Sequence, residues 1–160
     1  MILRPAAPAD DDRLWAILEP VFREGETYCL PRDITRADAL DYWSAVPHLV
    51  FVAEDAGDIV GSYFLTPNQK GGGAHVCNCG FVTAPAARGR GVARAMLAHA
   101  VETARAEGYL AMQFNFVVST NERAIAIWRD MGFDIVGRLP DAFRSPKDGY
   151  VDALVMYRTL

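Results

Sequence analysis

The decapeptide Pro85-Ala86-Ala87-Arg88-Gly89-Arg90-Gly91-Val92-Ala93-Arg94 restricts the fold more than any other segment. An apolar extended run precedes it. Apolar residues at helical spacing follow it (Val92, Ala93, Met96, Leu97, Ala100, Val101, Ala104), so a strand has to pass into a helix within a few residues. That helix starts without a Ser, Thr, Asp or Asn cap, which leaves its first N–H groups without a side-chain partner. Gly89, Gly91 and the small Ala93 let a ligand approach the backbone closely, the helix N-terminus favours an anion, and Arg88, Arg90 and Arg94 add positive charge around the rim. A phosphate or pyrophosphate suits that environment. The Gly-Lys-Ser/Thr ending of a P-loop is missing, and Arg94 stands where a dinucleotide fingerprint needs a third small residue. Taken alone, the turn also fits glycines that serve backbone geometry only, with arginines facing solvent.

The remaining periodicity places this turn in an α/β chain. It predicts a strand at 2–4, helices at 10–23 and about 35–45, strands at 50–54 and 59–65 joined by the tight turn Asp55-Ala56-Gly57-Asp58, and a strand at about 74–83. A helix at 91–107 is stopped by Gly108, a strand follows at 110–118, and a helix at 121–131 is stopped by Gly132. Ser119 and Glu122 have capping-box spacing at the start of that last helix. Strands at 133–139 and 150–157 end the chain, with Pro140, Pro146 and Gly149 marking a loop between them. The order β-α-α-β-β-β-α-β-α-β-β describes a mixed sheet with helices on both faces. With no repeat or long linker, 1–160 reads as one domain.

Composition narrows the partners. The 160 residues are 51% hydrophobic and 22% charged, as one ordinary packed core requires. Sixteen Lys and Arg against twenty Asp and Glu give a net charge of −4, so no positive field is available for nucleic acid. No apolar run approaches the roughly 18 residues of a membrane span, and Met1-Ile2-Leu3-Arg4-Pro5 lacks a signal peptide's apolar stretch; the expected location is the cytoplasm. Three cysteines are too few and odd in number for a disulfide framework.

Two side-chain rows have more than one reading. His75, Cys77 and Cys79 alternate onto one face of a strand, but they lack Cys-x-x-Cys spacing and a fourth ligand, so packing is expected rather than a metal. No adjacent His or Lys activates either thiol as a nucleophile. On the strand at 110–118, Gln113 and Asn115 share one face, opposite Met112, Phe114 and Phe116; that face is either a polar cleft or a solvated sheet surface.

Arg88-Gly89-Arg90-Gly91-Val92-Ala93 resembles the Arg/Gln-x-x-Gly-x-Gly/Ala signature of the GNAT N-acetyltransferases, and Asn121-Glu122-Arg123-Ala124 through Gly132-Phe133 resembles their downstream Asn-x-x-Ala helix. The resemblance extends over nearly the whole chain in element order, with the first 48 residues matching in layout only. It implies the GNAT fold, a mostly antiparallel seven-stranded sheet flanked by about four helices, whose central strands, here 74–83 and 110–118, splay apart. The Gly80-Phe81 pair is the bulge expected to open them. It implies acetyl-CoA as cosubstrate, with its pyrophosphate on the amides of Arg88, Gly89, Arg90, Gly91, Val92, Ala93 and Arg94, and its pantetheine arm paired like an extra strand with Phe81, Val82 and Thr83.

The run Phe114-Asn115-Phe116-Val117-Val118-Ser119-Thr120-Asn121, with Asn78 and Phe81 on the preceding strand, is similar to the GNAT branch that includes the yeast enzyme acetylating proline analogues. That likeness implies that Asn78 grips a substrate carboxylate with Phe81 and Asn115 nearby, that the amides of Asn115 and Phe116 stabilise the oxyanion, and that Asn121 and Ala124 lie beside acetyl-CoA. An Asn at this position also serves as a helix cap. Many GNAT enzymes carry a tyrosine seven residues after that Asn to protonate the leaving thiolate. Trp128 stands there instead, and an indole N–H donates a hydrogen bond without acting as an acid near neutral pH. The expected task of Trp128 is packing against the pantetheine or the core. Glu26, in the loop after the first helix, is the expected base, with Asp152 and His75 as weaker candidates. The acceptor expected is a small-molecule amine, such as an amino acid or analogue. The rivals are a protein N-terminal or lysine acetyltransferase and a non-catalytic acyl-CoA sensor. Exposed C-terminal strands leave room for a homodimer.

Overall fold

A computed structural model describes residues 1–160. Seven strands, β1 (Ile2–Pro5), β2 (Leu49–Asp55), β3 (Asp58–Pro67), β4 (Val76–Thr83), β5 (Ala111–Val118), β6 (Asp134–Ser145) and β7 (Gly149–Thr159), form one sheet in the order β1-β2-β3-β4-β5-β7-β6. Every neighbouring pair is antiparallel except β4 and β5. Helices α1 (Asp11–Glu24) and α2 (Arg36–Trp43) pack on one face, and α3 (Val92–Ala106) and α4 (Glu122–Asp130) on the other. This is the mixed seven-stranded, four-helix architecture that the element order implied.

Each face has its own core. Leu14, Leu18 and Phe22 form the apolar stripe of α1 and meet Trp43, Val52 and Phe64. Met96, Leu97 and Ala100 of α3 meet Met112, Phe114 and Phe133 opposite. The buried Trp43 indole donates to Ser62 Oγ at 2.9 Å, and Ser62 donates to the Phe51 carbonyl at 2.8 Å, so this polar chain is satisfied without water.

The feature that positions the site is the parting of β4 and β5. They are in register only at Val76–Ala111 and Cys77–Met112, after which β4 continues with β3 and β5 with β7. No bulge occurs at Gly80-Phe81: Gly80 pairs with Phe64 and Phe81 with Tyr63 in unbroken register. The irregularity lies across the gap, on β5 between Phe114 and Val117. Gly80 has a steric reason instead. A Cβ there would stand 2.4 Å from Phe64 Cε1, because the ring of the facing residue lies over the glycine.

Two further expectations are corrected. Strand β6 runs through Pro140 to Ser145 where a loop was expected; as an edge strand it has no outer ladder for Pro140 to break, and a register shift between Leu139 and Phe143 absorbs the extra residues. The cap of α4 is Asn121, whose Oδ1 accepts from the Ala124 N–H at 3.4 Å; the Ser119 N–H instead bonds to the Asp152 carbonyl. Gly80→Ala is expected to destabilise the fold by about 1–3 kcal/mol through overpacking alone, measured by urea unfolding, and Phe64→Leu in that background should recover part of the loss.

Candidate active site

The space between the parted strands holds two adjoining cavities. The larger, about 720 Å³, runs from the Arg88–Arg94 turn past Phe81, Val82 and Thr83 to Trp128. The smaller, about 230 Å³, is bounded by Tyr28, Tyr42, Phe64, Asn78, Phe114 and Phe116. Thr27, Phe81, Asn121, Ala124 and Trp128 line both and mark their junction.

At the far end of the larger cavity the chain bends through left-handed conformations at Gly89 (φ 85°) and Gly91 (φ 80°) into α3. The helix has no side-chain cap, and the N–H groups of Gly89, Gly91, Val92, Ala93 and Arg94 donate to no protein acceptor. Five free donors in one turn at a helix N-terminus make an anion cradle. The arginines are less free than the sequence suggests. Arg88 pairs with Glu24 at 2.8 Å, Arg90 with Asp55 and Arg94 with Asp130. Arg90 is absent from the cavity lining, whereas the other five positions between 88 and 93 that carry the turn, and Arg94, bound or adjoin it.

Strand β4 supplies the wall. The Ala84 N–H bonds to Val60 O and the Asn68 N–H to Val76 O, so even-numbered residues of β4 turn their main-chain groups to β3. Phe81 and Thr83 therefore direct theirs into the gap. The Phe81 carbonyl already accepts a 2.9 Å bond from the Tyr28 hydroxyl, a contact between the loop after α1 and β4 that no local pattern announces. Burial pushes the Tyr28 phenol well above the usual tyrosine range.

Asn78 lines the smaller cavity. Its Oδ1 accepts the Cys79 N–H at 2.8 Å, which fixes the side-chain amide and leaves Nδ2 as a free donor. Gln113 and Asn115 do share a face: Gln113 Nε2 donates to Asn115 Oδ1 at 2.8 Å, and Asn115 Nδ2 donates to Asn68 Oδ1 at 2.6 Å. This amide chain runs from β5, just past its last pairing with β4, to Asn68, the residue after β3, whose N–H bonds to Val76 O. Asn115 and Phe116 themselves have no registered partner in either neighbouring strand.

Glu26 lies in the larger cavity, beside Lys147 and Asp148, and is absent from the lining of the smaller one. Its Oε2 accepts from Ser145 Oγ at 2.7 Å, joining the loop after α1 to the β6–β7 hairpin, while Oε1 is buried with no partner. His75 is exposed ahead of β4, and the Asp152 carboxylate is held by Arg138 and the Asp141 N–H, so both lie outside the two cavities. Cys77 and Cys79 are buried against β5, and burial pushes the Cys77 thiol up to about 12. No group of three His, Cys, Asp or Glu side chains is placed to hold a metal ion, and no helix is long and apolar enough to cross a membrane.

A helix N-terminus with a cradle of free N–H groups, set at one end of a gap between parted parallel strands, defines an acyltransferase fold and its site. The chain belongs to the acetyltransferase (GNAT) family, whose model matches residues 12–133, and it is accordingly an N-acetyltransferase. It is similar to N-acetyltransferase aca1 of Schizosaccharomyces pombe, with 29% identity over 148 residues that cover 82% of this chain and 71% of the relative. A GCN5-related N-acetyltransferase from Kribbella flavida is 39% identical, with a TM-score of 0.94 over 99% of this chain and 97% of that one. In fold the chain also matches the phosphinothricin acetyltransferase of Sinorhizobium meliloti determined in complex with AcCoA, at a TM-score of 0.86 and 22% identity, over 99% and 88% of the two chains.

Gly89→Ala and Gly91→Ala meet no neighbouring atom and act only through their positive φ. Each is expected to weaken coenzyme A binding about tenfold or more by turning N–H groups out of the cradle, at a stability cost of about 1–2 kcal/mol, as measured by calorimetry and denaturant unfolding.

Proposed function

We propose that this enzyme transfers acetyl directly from acetyl-CoA to the amine of a small molecule of the amino-acid or amino-acid-analogue class. The observation that carries this reading is the pair of cavities, unequal in size and joined at Phe81, Asn121, Ala124 and Trp128. The larger suits acetyl-CoA, a substrate of the reaction. Its pyrophosphate would take the free N–H groups of Gly89 and of Val92 to Arg94, and its pantetheine arm the outward main-chain groups of Phe81 and Thr83 alongside Val82. The smaller suits a compact acceptor, because Tyr28, Tyr42, Phe64 and Phe116 bound it and the Glu26–Ser145 contact bridges the neighbouring loop and hairpin. An extended peptide would need an open groove at that place.

The chemistry follows from the lining. No Asp, Glu, His, Lys or Arg lines the smaller cavity, so an ammonium group entering it loses hydration without gaining a counter-charge. The neutral amine is favoured there, which is the form that attacks the acetyl carbonyl. Asn78 Nδ2 is the donor for an acceptor carboxylate. The N–H groups of Asn115 and Phe116, in the interrupted part of β5, are the donors for the oxyanion. Glu26 Oε1, buried and unpartnered, receives the amine's proton through water across the junction.

Thiol release from acetyl-CoA is expected only when an amine is added, in a screen of amino acids, proline analogues and glutamate-analogue herbicides; release without any amine, or no binding of acetyl-CoA by calorimetry, removes this reading. Asn78→Ala should raise KM for carboxylate-bearing acceptors about tenfold or more while leaving acetyl-CoA affinity intact. Glu26→Gln should lower kcat/KM most at low pH, where unassisted deprotonation of the amine is slowest, and approach wild type as pH rises through the amine's own pKa; parallel profiles at every pH exclude Glu26 as base.

A further inference from the structure

The leaving sulfur needs something to meet it. Trp128 lines the junction of the two cavities, its ring packed at a tilt against Phe81 (centroids 5.2 Å apart) and Phe114 (5.4 Å) and only 7% exposed. A buried tryptophan ordinarily finds a partner for its N–H, as Trp43 does in Ser62. The Trp128 N–H has no protein acceptor, yet the only fully enclosed side-chain polar atom lacking a partner is Glu26 Oε1. The Trp128 N–H is therefore accessible, on a side chain that lines both cavities. Asn121 adds a second donor of the same kind: its Oδ1 is committed to the Ala124 N–H, which leaves Nδ2 without a protein acceptor at the same junction.

Resting on the acetyl-transfer reading above, we infer that Trp128 Nε1–H, assisted by Asn121 Nδ2, donates to the thioester sulfur and holds it as a thiolate when it leaves, so that the enzyme releases coenzyme A without a protein acid. The balance is simple. The amine nitrogen bonds to the acetyl carbon, the carbon–sulfur bond breaks with its electron pair on sulfur, and the nitrogen's proton passes by way of Glu26 and water to solvent. Solvent protonates the thiolate after release. A hydrogen bond to a forming charge is stronger than one to the neutral thioester, so the stabilisation grows along the reaction.

Beside the two N–H groups the junction carries one further donor, the Thr27 hydroxyl, and no ionisable group around Trp128 is free to act as an acid. Cys79 on β4, and Tyr28 and Cys29 in the loop after α1, are neutral at working pH because burial raises all three. Tyr42 on α2 is raised by burial as well. The Tyr28 hydroxyl is already committed to the Phe81 carbonyl, and Arg94 on α3 is paired with Asp130. Arg123 on α4, and Lys147 and Asp148 on the hairpin, line the larger cavity and are absent from the smaller one, as is Glu26.

The test uses the complex with coenzyme A, whose free thiol titrates in place of the leaving group. In wild type, the ultraviolet absorbance of the thiolate should appear at a pH at least one unit below that of free coenzyme A. Trp128→Phe keeps the ring and removes the N–H; it should return the titration at least halfway to the free value and slow single-turnover acetyl transfer about tenfold or more, with coenzyme A affinity near pH 7 changed less than threefold. Trp128→Tyr restores a donor and adds an acid, and should recover rate while introducing a fall at alkaline pH that wild type lacks. An unshifted thiol in wild type overturns the inference. So does a Trp128→Phe enzyme with wild-type titration and rate, or one whose only defect is lost coenzyme A affinity, because packing then accounts for the residue. Each of these outcomes leaves the acetyl-transfer reading standing, which fails separately if acetyl-CoA neither binds nor reacts.

Discussion

Everything distinctive about this molecule depends on two strands that start as a parallel pair and stop pairing after two residues. Hydrogen-bonded sheet is the ordinary way to satisfy backbone groups, and abandoning it in the interior carries a cost that must be met locally. The protein meets part of it with side chains. Asn78 takes the N–H of Cys79, Tyr28 donates to the carbonyl of Phe81, and the amide chain from Gln113 through Asn115 to Asn68 reaches across where the ladder has ended. Phe81, Phe114 and Trp128 fill the helix-side face of the gap with rings, which keeps it from collapsing while leaving the main-chain groups of Phe81 and Thr83 outward. The gap is therefore a built feature, held open by aromatic packing and edged with partly satisfied backbone.

The electrostatics of the two ends are opposite in kind. The turn at 88–94 concentrates N–H donors and three arginines, each arginine paired with a carboxylate contributed by a different element: Glu24 of α1, Asp55 of β2 and Asp130 of α4. These exposed pairs contribute little stability, so a polyphosphate can exchange for the carboxylates at small cost. The backbone cradle, which has no competitor inside the protein, supplies the fixed part of the recognition. The smaller cavity holds no charge at all, so a chain with a net charge of −4 carries one local anion site and one uncharged chamber a short distance apart.

How much of this the sequence disclosed follows from how local each feature is. The helices, their glycine stops and the turn at 88–94 depend on residues within one or two turns of each other, and they lie within a few residues of where periodicity placed them. The α4 cap shows the limit of spacing arguments: Ser119 and Asn121 both have a cap's chemistry, and the carbonyl of Asp152, far away on β7, decides between them by engaging the Ser119 backbone. A glycine is the usual sign of a bulge, yet Gly80 is required by the ring of Phe64 and the interruption falls on Asn115-Phe116, residues that carry no bulge signal of their own. Glu26 was legible as a loop carboxylate but its partner Ser145 lies 119 positions away, and Tyr28, Asn68 and Ser145 had no local pattern to announce them.

Trp128 is where the local and distant readings meet. The resemblance to GNAT enzymes implies a phenol seven residues after Asn121, where the sequence has an indole, and helical spacing makes that indole a core residue, as its burial shows. What spacing cannot convey is that the ring packs at a tilt against Phe81 and Phe114, from two strands that no longer pair, and stands at the junction of the two cavities. A phenol in that place offers a proton that an adjacent thiolate can take, at the cost of an acid whose ionisation limits the working pH. An indole offers a hydrogen bond whose strength rises with the charge it faces and which does not titrate. Set beside a chamber that no charged side chain lines, that exchange, in the mechanism proposed above, separates proton transfer at the amine end of the reaction, assigned to Glu26, from charge stabilisation at the sulfur end.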